Sequence, residues 1–415
     1  VGERVDAHRF IPQVMEAGAL ATLSERVLEG ADYPYIQVES SLQAVKDIAE
    51  FYLQQLQLPV VGITGSVGKT STKEFIASVL SQKFKVCKTQ KNFNNEIGLP
   101  MTVLSIRPED EAAVLEMGIS DFGEMTRLTE IAKPDYCVIT NIGQCHLENL
   151  GSREGILKAK TEIFKSMNPD GCVFLNGEDD MLATVKKPWN NEIIRFGMSE
   201  KDAVYATDVV NKGLLGSEAV IHVADTQFPV RVPLPGVHMV LNALAATAVG
   251  WQLGLTTEQI AEGIAQVQAV AGRSHVIETP DYILIDDCYN ANPVSMKAAI
   301  DLLGTALQRK VAILGDMFEL GKDEAALHAQ IGEYAMTHGV DVLICIGELS
   351  KHMYDRAVET SFGKEHGSRE IYYFPTREEA MAQIPHILHT GDAVLIKASH
   401  SMKFEEIVEQ STGRI

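Results

Sequence analysis

Residues 60–75 read VVGITGSVGKTSTKEF, and they decide how the rest of the chain is read. VVGIT is a short β-branched strand, residues 65–68 a tight glycine turn, and KTSTKEFIASVLSQKF a helix. Strand, glycine turn and helix in that order are the context of a phosphate-binding loop. The common form of that loop needs a glycine five positions before Gly68, where this chain has Ile63; the nearest glycines are Gly62 and Gly65. A loop one turn tighter meets the same chemistry, whereas a chance Gly-Lys-Thr in an ordinary turn would not need it. Gly65 and Gly68 permit φ > 0 and bring the N–H groups of Ser66, Val67 and their neighbours against phosphate oxygens. The helix that starts at Lys69, Thr70 and Ser71 adds its partial positive charge. Lys69 reaches outer phosphates and the Thr70 hydroxyl is placed for Mg²⁺, so ATP and magnesium are the expected ligands.

The chain has 415 residues, which is too long for one ordinary core and sets an expectation of two or three domains. A formal net charge of −20 disfavours a general nucleic-acid or anionic-membrane partner, so anionic substrates must be held by local donors. No apolar run reaches the roughly 18–20 residues of a membrane helix, and six scattered cysteines without a Cys-x-x-Cys pair read as reduced thiols in a cytoplasmic protein. No secretory leader is recognisable, and the sequence opens mid-pattern on Val1, so an earlier N-terminal piece is expected.

Apolar runs alternate with helical stretches beyond the glycine loop. AAVLEMG, DYCVITNIG and GCVFLNG have buried-strand length, which predicts an α/β fold with a mostly parallel sheet. AVYATDVV, EAVIHVA and QFPVRVPL predict an antiparallel side ribbon, and a helix closed by Gly254 comes next. A second α/β run starts near YILIDDC and continues through KVAILGD, VDVLICIG and DAVLIKAS. The expected division is 1–57, a partial N-terminal α/β unit; 58–272, the ATP-binding unit; and 273–415, a Rossmann-like unit.

Phosphoryl transfer needs further metal ligands, which in such a sheet sit at strand ends. Glu116 follows one buried run, and Asn141 and His146 follow the next. Each alone reads as an ordinary hydrogen-bonded residue; two after successive strands of one sheet form a candidate metal set. Lys158 and Lys160 fall in a helical stretch and, from pattern alone, read as a solvated face.

Together with KNFNNEIGLP (91–100), EMGISDFGE (116–124), TNIGQCHLENLGSREGILKAKTEIF (140–164), DDCYNANPVSM (286–296) and LGDMFELG (314–321), the loop resembles the Mur ligase family. These are ATP-dependent amide-bond ligases of peptidoglycan precursor synthesis, built as three α/β domains. Their loop has the form Thr-Gly-x-x-Gly-Lys-Thr/Ser, which residues 64–70 match. The motifs lie nearest to the members that join D-alanyl-D-alanine to UDP-N-acetylmuramoyl-tripeptide, so these two substrates are expected. Lysine- or diaminopimelate-adding members and folylpolyglutamate synthases are the alternatives, and a non-catalytic nucleotide-binding relative is a third.

The resemblance implies roles for individual residues. Lys69 and the loop amides hold ATP phosphates, Thr70 and Glu116 one Mg²⁺, and His146 a second. Lys160 matches a lysine that several members carbamylate into a metal ligand, which reverses its solvated reading. Asn94, Asn95, Ser120 and Asn141 resemble substrate-facing residues. Asn242, Arg273, Asn292 and His328 resemble contacts to ATP or its surroundings, with Arg273 at the hinge to the last domain. A monomer is expected. Three positions depart from the family: Ala7 replaces a glycine, Met239 an asparagine, and His400 an arginine.

Overall fold

The glycine-loop strand lies inside the larger of two main sheets in the computed structural model, which describes residues 6–187, 190–361 and 369–413. The stretch GERVDAHRFI, which opens the expected partial N-terminal unit, lies outside them in its first four residues. Beyond that stretch come a short parallel pair, β1 (Thr22–Ser24) with β2 (Tyr35–Gln37), and a helix, Ser41–Gln55. Ser40 starts the helix: its hydroxyl accepts the Gln43 N–H and satisfies one of the donors a helix start leaves open. Ala49 and Leu53 face inward from this helix and join the core of the central sheet.

That central sheet has nine strands: β3 (Val60–Thr64), β4 (Val86–Lys88), β5 (Ala112–Glu116), β6 (Tyr136–Ile139), β7 (Cys172–Asn176), β8 (Glu192–Gly197), β9 (Val204–Asn211), β10 (Ser217–Val223) and β11 (Thr226–Val232). Their order is β11-β10-β9-β8-β7-β6-β3-β5-β4, parallel from β4 to β9. β5 lies on one side of β3 and β6 on the other, so the chain changes direction around β3 and leaves a crevice beyond its C-terminal end. All five residues of β3 are buried, because helices cover both faces. Val61 and Ile63 are fully enclosed, and burial of each such side chain stabilises the sheet by about 1.5–3 kcal/mol.

The expected side ribbon is antiparallel, but it is not a separate appendage. β9, β10 and β11 continue the central sheet and join β8 through only two residue pairs, Phe196 with Val204 and Gly197 with Tyr205. The overlap is short because β9 begins opposite the last two residues of β8 and runs on beyond its end.

The second main sheet comprises β12 (His275–Glu278), β13 (Ile283–Asp286), β14 (Lys310–Gly315), β15 (Val342–Ile346), β16 (Glu370–Phe374) and β17 (Ala393–Lys397), in the order β12-β13-β17-β14-β15-β16. All its pairings are parallel except β12 with β13. Two apolar clusters fill its two faces, which is why β14, β15 and β17 are nearly continuous apolar runs.

Candidate active site

The glycine turn behaves as its sequence requires. Gly65 has φ +150° and Gly68 φ +81°, and a Cβ on Gly65 would lie 1.9 Å from Thr140 Oγ1. The loop backbone therefore rests directly on the end of β6. Thr140 Oγ1 donates to the Val67 carbonyl at 2.6 Å, and Ser66 N–H donates to the Asn141 carbonyl at 3.0 Å. The Asn141 side chain grips the loop as well: its Oδ1 accepts from Val67 N–H at 3.0 Å and its Nδ2 donates to Val67 O at 3.1 Å. Asn141, expected to face substrate, thus spends its amide on loop shape while lining the cavity.

Lys69 folds over this turn and donates from Nζ to Gly65 O at 2.8 Å. Burial pulls its pKa down, the Glu116 and Cys145 charges oppose that, and Arg273 adds to it. Glu116, at the end of β5, is 1% exposed. One carboxylate oxygen accepts from Asn94 Nδ2 at 2.8 Å, while the other, Oε2, is buried without a hydrogen-bond partner. An ionised oxygen in that position costs several kcal/mol unless a cation or donor meets it. Lys160 is also 1% exposed, and no hydrogen bond or ion pair of its ammonium is found among the described residues. Burial moves its pKa down to about 8, with Lys69 pushing the same way and Cys145 the other. The helical face read as solvated from pattern alone is therefore interior at this position.

Both main sheets contribute to one cavity of about 580 Å³, a size suited to a nucleotide-scale ligand. From the central sheet come residues 66–72, Asn94, Asn95, Glu116, Ser120, Asn141, His146 and Asn242. From the second sheet and its approach come Arg273, Asp287, Tyr289, Asn292 and Lys397. Asn95 Oδ1 accepts from Ile97 and Gly98 N–H groups and shapes the start of the next helix. Ser120 N–H donates to Glu124 Oε2. Asn242 Oδ1 accepts from Thr72 Oγ1 at 2.9 Å, holding the helix behind the loop. Asn292 caps the helix Pro293–Gly304 through a reciprocal pair with Ser295. The Arg273 guanidinium stacks 4.0 Å from the Tyr289 ring centre.

Two of the expected residues sit differently from the rest. Neither Lys160, which feels the charge of Lys69, nor His328 is part of the cavity lining. His328 is fully buried: its Nε2 accepts from Met317 N–H at 2.9 Å and its Nδ1 faces Glu324 O at 2.7 Å. Accepting at Nε2 requires the proton on Nδ1, so the ring is neutral; burial holds its pKa down accordingly. Its partners are backbone groups of its own domain.

The pair that sequence reading did not find is Asp287 with Lys397. Lys397 Nζ lies 2.6 Å from Asp287 Oδ2 and donates to Asn290 O at 2.8 Å, while Ser274 N–H donates to Asp287 Oδ1. Both acids of DDCYNANP stood in view, but the lysine that completes the pair is 110 residues away. His146 is the other surprise. It stands at φ +51°, and its Nδ1 lies 2.5 Å from Oε2 of Glu319, itself at φ +62°, on the opposite main domain.

The chain matches the family model for the Mur ligase middle domain over residues 63–250 and that for the Mur ligase glutamate ligase domain over residues 272–400. It is 37% identical over 413 residues to the UDP-N-acetylmuramoyl-tripeptide–D-alanyl-D-alanine ligase of Bacillus subtilis, covering 98% of this chain and 88% of that protein. The chain belongs to the Mur ligase family. Among solved structures, MurF from Acinetobacter baumannii superposes on this Mur ligase with a TM-score of 0.91 at 31% identity, covering 100% of this chain and 89% of the other. The MurF ligase of Thermotoga maritima in complex with ADP gives 0.86 at 30% identity, covering 100% and 93%. Among the described residues no helix is long and apolar enough to cross a membrane.

Proposed function

We propose that this Mur ligase is an ATP-dependent, ADP-forming enzyme that joins UDP-N-acetylmuramoyl-tripeptide to D-alanyl-D-alanine. The observation that carries the reading is one cavity in which a glycine loop, Lys69 and the unpartnered Glu116 oxygen face residues from the second sheet. The relatives that bear this activity in their names, matched over 98% of this chain, support the choice of substrates.

A carboxylate is a poor electrophile, so the tripeptide carboxylate first takes the γ-phosphoryl group of ATP, giving an acyl phosphate and ADP. The loop N–H groups and Lys69 hold the phosphates and meet the charge that develops on them. The amine of the dipeptide then attacks the acyl carbon. The C–N bond forms, the C–O bond to phosphate breaks, inorganic phosphate leaves, and the amine gives up a proton.

The donor set suits magnesium that arrives with phosphate oxygens and water rather than a prebuilt cage. No group of three His, Cys, Asp or Glu side chains forms a ready metal site among the described residues, while Glu116 keeps one buried oxygen free. In this reading Thr70 and Glu116 would hold one ion, and His146 with a carbamylated Lys160 a second. Bound magnesium supplies charge neutralisation on the transferring phosphoryl group. The Lys160 amine, with a pKa of about 8, is substantially neutral at slightly alkaline pH, the form that reacts with carbon dioxide. Asn94, Asn95, Ser120 and Asn141 would border the tripeptide, and Asn242, Arg273, Asn292 and the loop residues the nucleotide. His328 would act from behind, through the loop it anchors. Residues 1–57, 58–272 and 273–415 would be the three domains of a monomer working in the cytoplasm.

The test is phosphate release by the purified protein with ATP and Mg²⁺. Release that needs both UDP-N-acetylmuramoyl-tripeptide and D-alanyl-D-alanine is the expected result; release indifferent to the dipeptide overturns the proposal.

A further inference from the structure

The loop 316–321 follows β14 in the second sheet, yet its tip lies against the central domain. Three side chains of its own domain set its shape. Asp316 Oδ1 accepts from the Ser350 N–H and hydroxyl, both at 2.7 Å. His328 Nε2 accepts from Met317 N–H, and Ser399 Oγ accepts from Phe318 N–H at 3.0 Å. The next residue, Glu319, is in the left-handed region at φ +62°, a conformation a glutamate takes at a cost and keeps only where its surroundings impose it. Gly321, at φ +68°, brings the loop backbone close to Glu148 of the central domain. The result places Glu319 Oε2 2.5 Å from His146 Nδ1. The two approach off the line of a straight N–H···O hydrogen bond, so the contact is chiefly the attraction of the carboxylate for the Nδ1–H dipole. His146 is in the left-handed region too, so both chain segments are bent toward this meeting.

We propose that Glu319 is a positioning residue for His146, delivered across the domain boundary. A carboxylate at Nδ1 favours the tautomer with the proton on that nitrogen. It leaves the Nε2 lone pair free for a metal ion and holds the ring still. The inference rests on the reading of His146 as a ligand of the second ion. It adds that this ligand is complete only when the two domains are together, so ion binding and domain approach are coupled. Buried His328 then serves the site at a distance, by anchoring the loop that carries Glu319.

The probe is Mn²⁺ with a non-hydrolysable ATP analogue, titrated by electron paramagnetic resonance on the full chain. Circular dichroism and analogue affinity serve as folding controls. Glu319→Ala is expected to weaken the second Mn²⁺ by about 10- to 100-fold and leave the first unchanged. Glu319→Gln, whose carbonyl dipole can still face Nδ1–H but without the full charge, is expected to recover part of that loss. His146→Ala separates the two readings. If it loses the second ion while Glu319→Ala does not, the positioning role falls and the metal reading stands. If it binds both ions as the unaltered chain does, the metal reading falls and this inference with it. Equal weakening by Glu319→Gln and Glu319→Ala overturns orientation as the mechanism.

Discussion

The two walls of the cavity are built on opposite principles. On the central-domain wall, charged groups lack ordinary partners: a Glu116 oxygen is buried alone, Lys160 is interior with no described partner, and Lys69 rests on its own loop carbonyl. On the C-terminal wall, the polar groups are already matched: Asp287 has Lys397 and Ser274, Asn292 has Ser295, and Asp316 behind them has Ser350. Unmatched charge is costly in the free protein and becomes favourable when ligand arrives, so the first wall is shaped as a receptor. Matched charge holds its shape without ligand, so the second wall behaves as a rigid frame.

Substitutions can break or sharpen that contrast. Lys69→Ala should reduce the rate of ADP formation by about 10³-fold while leaving the melting temperature of the ligand-free protein nearly unchanged. Glu116→Gln should behave alike in kind, with a smaller loss of about 10²-fold and little change in thermal stability, because the attraction to Lys69 that it loses and the partnerless buried oxygen that it relieves act in opposite directions. A marked fall in melting temperature for either variant would dissolve the contrast. On the other wall Lys397→Met should do the reverse, leaving Asp287 unpaired and costing about 3–5 kcal/mol in denaturant unfolding. Asn292→Ala, which removes a helix cap, should cost about 1 kcal/mol in the same assay.

Lys160 adds a pH signature to the receptor wall. Its amine has a pKa of about 8 in the folded chain and 10.5 as its ordinary value, so between these the unfolded chain binds more protons. Ligand-free stability should therefore carry a penalty below pH 8 that is relieved as pH rises from about 8 to 10.5. Lys160→Met should flatten that part of the stability profile, measured by denaturant unfolding across the range. An unchanged slope would place the lysine in contact with water.

What could be seen in the sequence was what is encoded locally. The glycine loop is legible because strand, turn and helix N-terminus are contiguous, and Glu116 and His146 because each closely follows a buried run. The Asn292 cap was also open to reading, since Asn-Pro-x-Ser places a capping oxygen, a first-turn proline and a reciprocal hydroxyl within four positions. Partners brought together by folding were not legible. Asp287 and Lys397 are far apart in the chain, as are His146 and Glu319, and neither member of a pair marks the other. β4 and β16 escaped for another reason: their residues are all half-buried, so they show neither an apolar run nor a clean alternation.

The ribbon β9–β11 has a mechanical consequence. The turn between β9 and β10 packs half-buried Leu214 against the apolar core of the second sheet, and Gly213 there abuts Thr305. The chain itself crosses between domains near Arg273, where the guanidinium is stacked on Tyr289. The loop 316–321, against His146 and Glu148, adds a third place of contact between the two domains. The last domain is thus braced like a stool on three legs, and the ribbon, remote from the chemistry, supplies one of them.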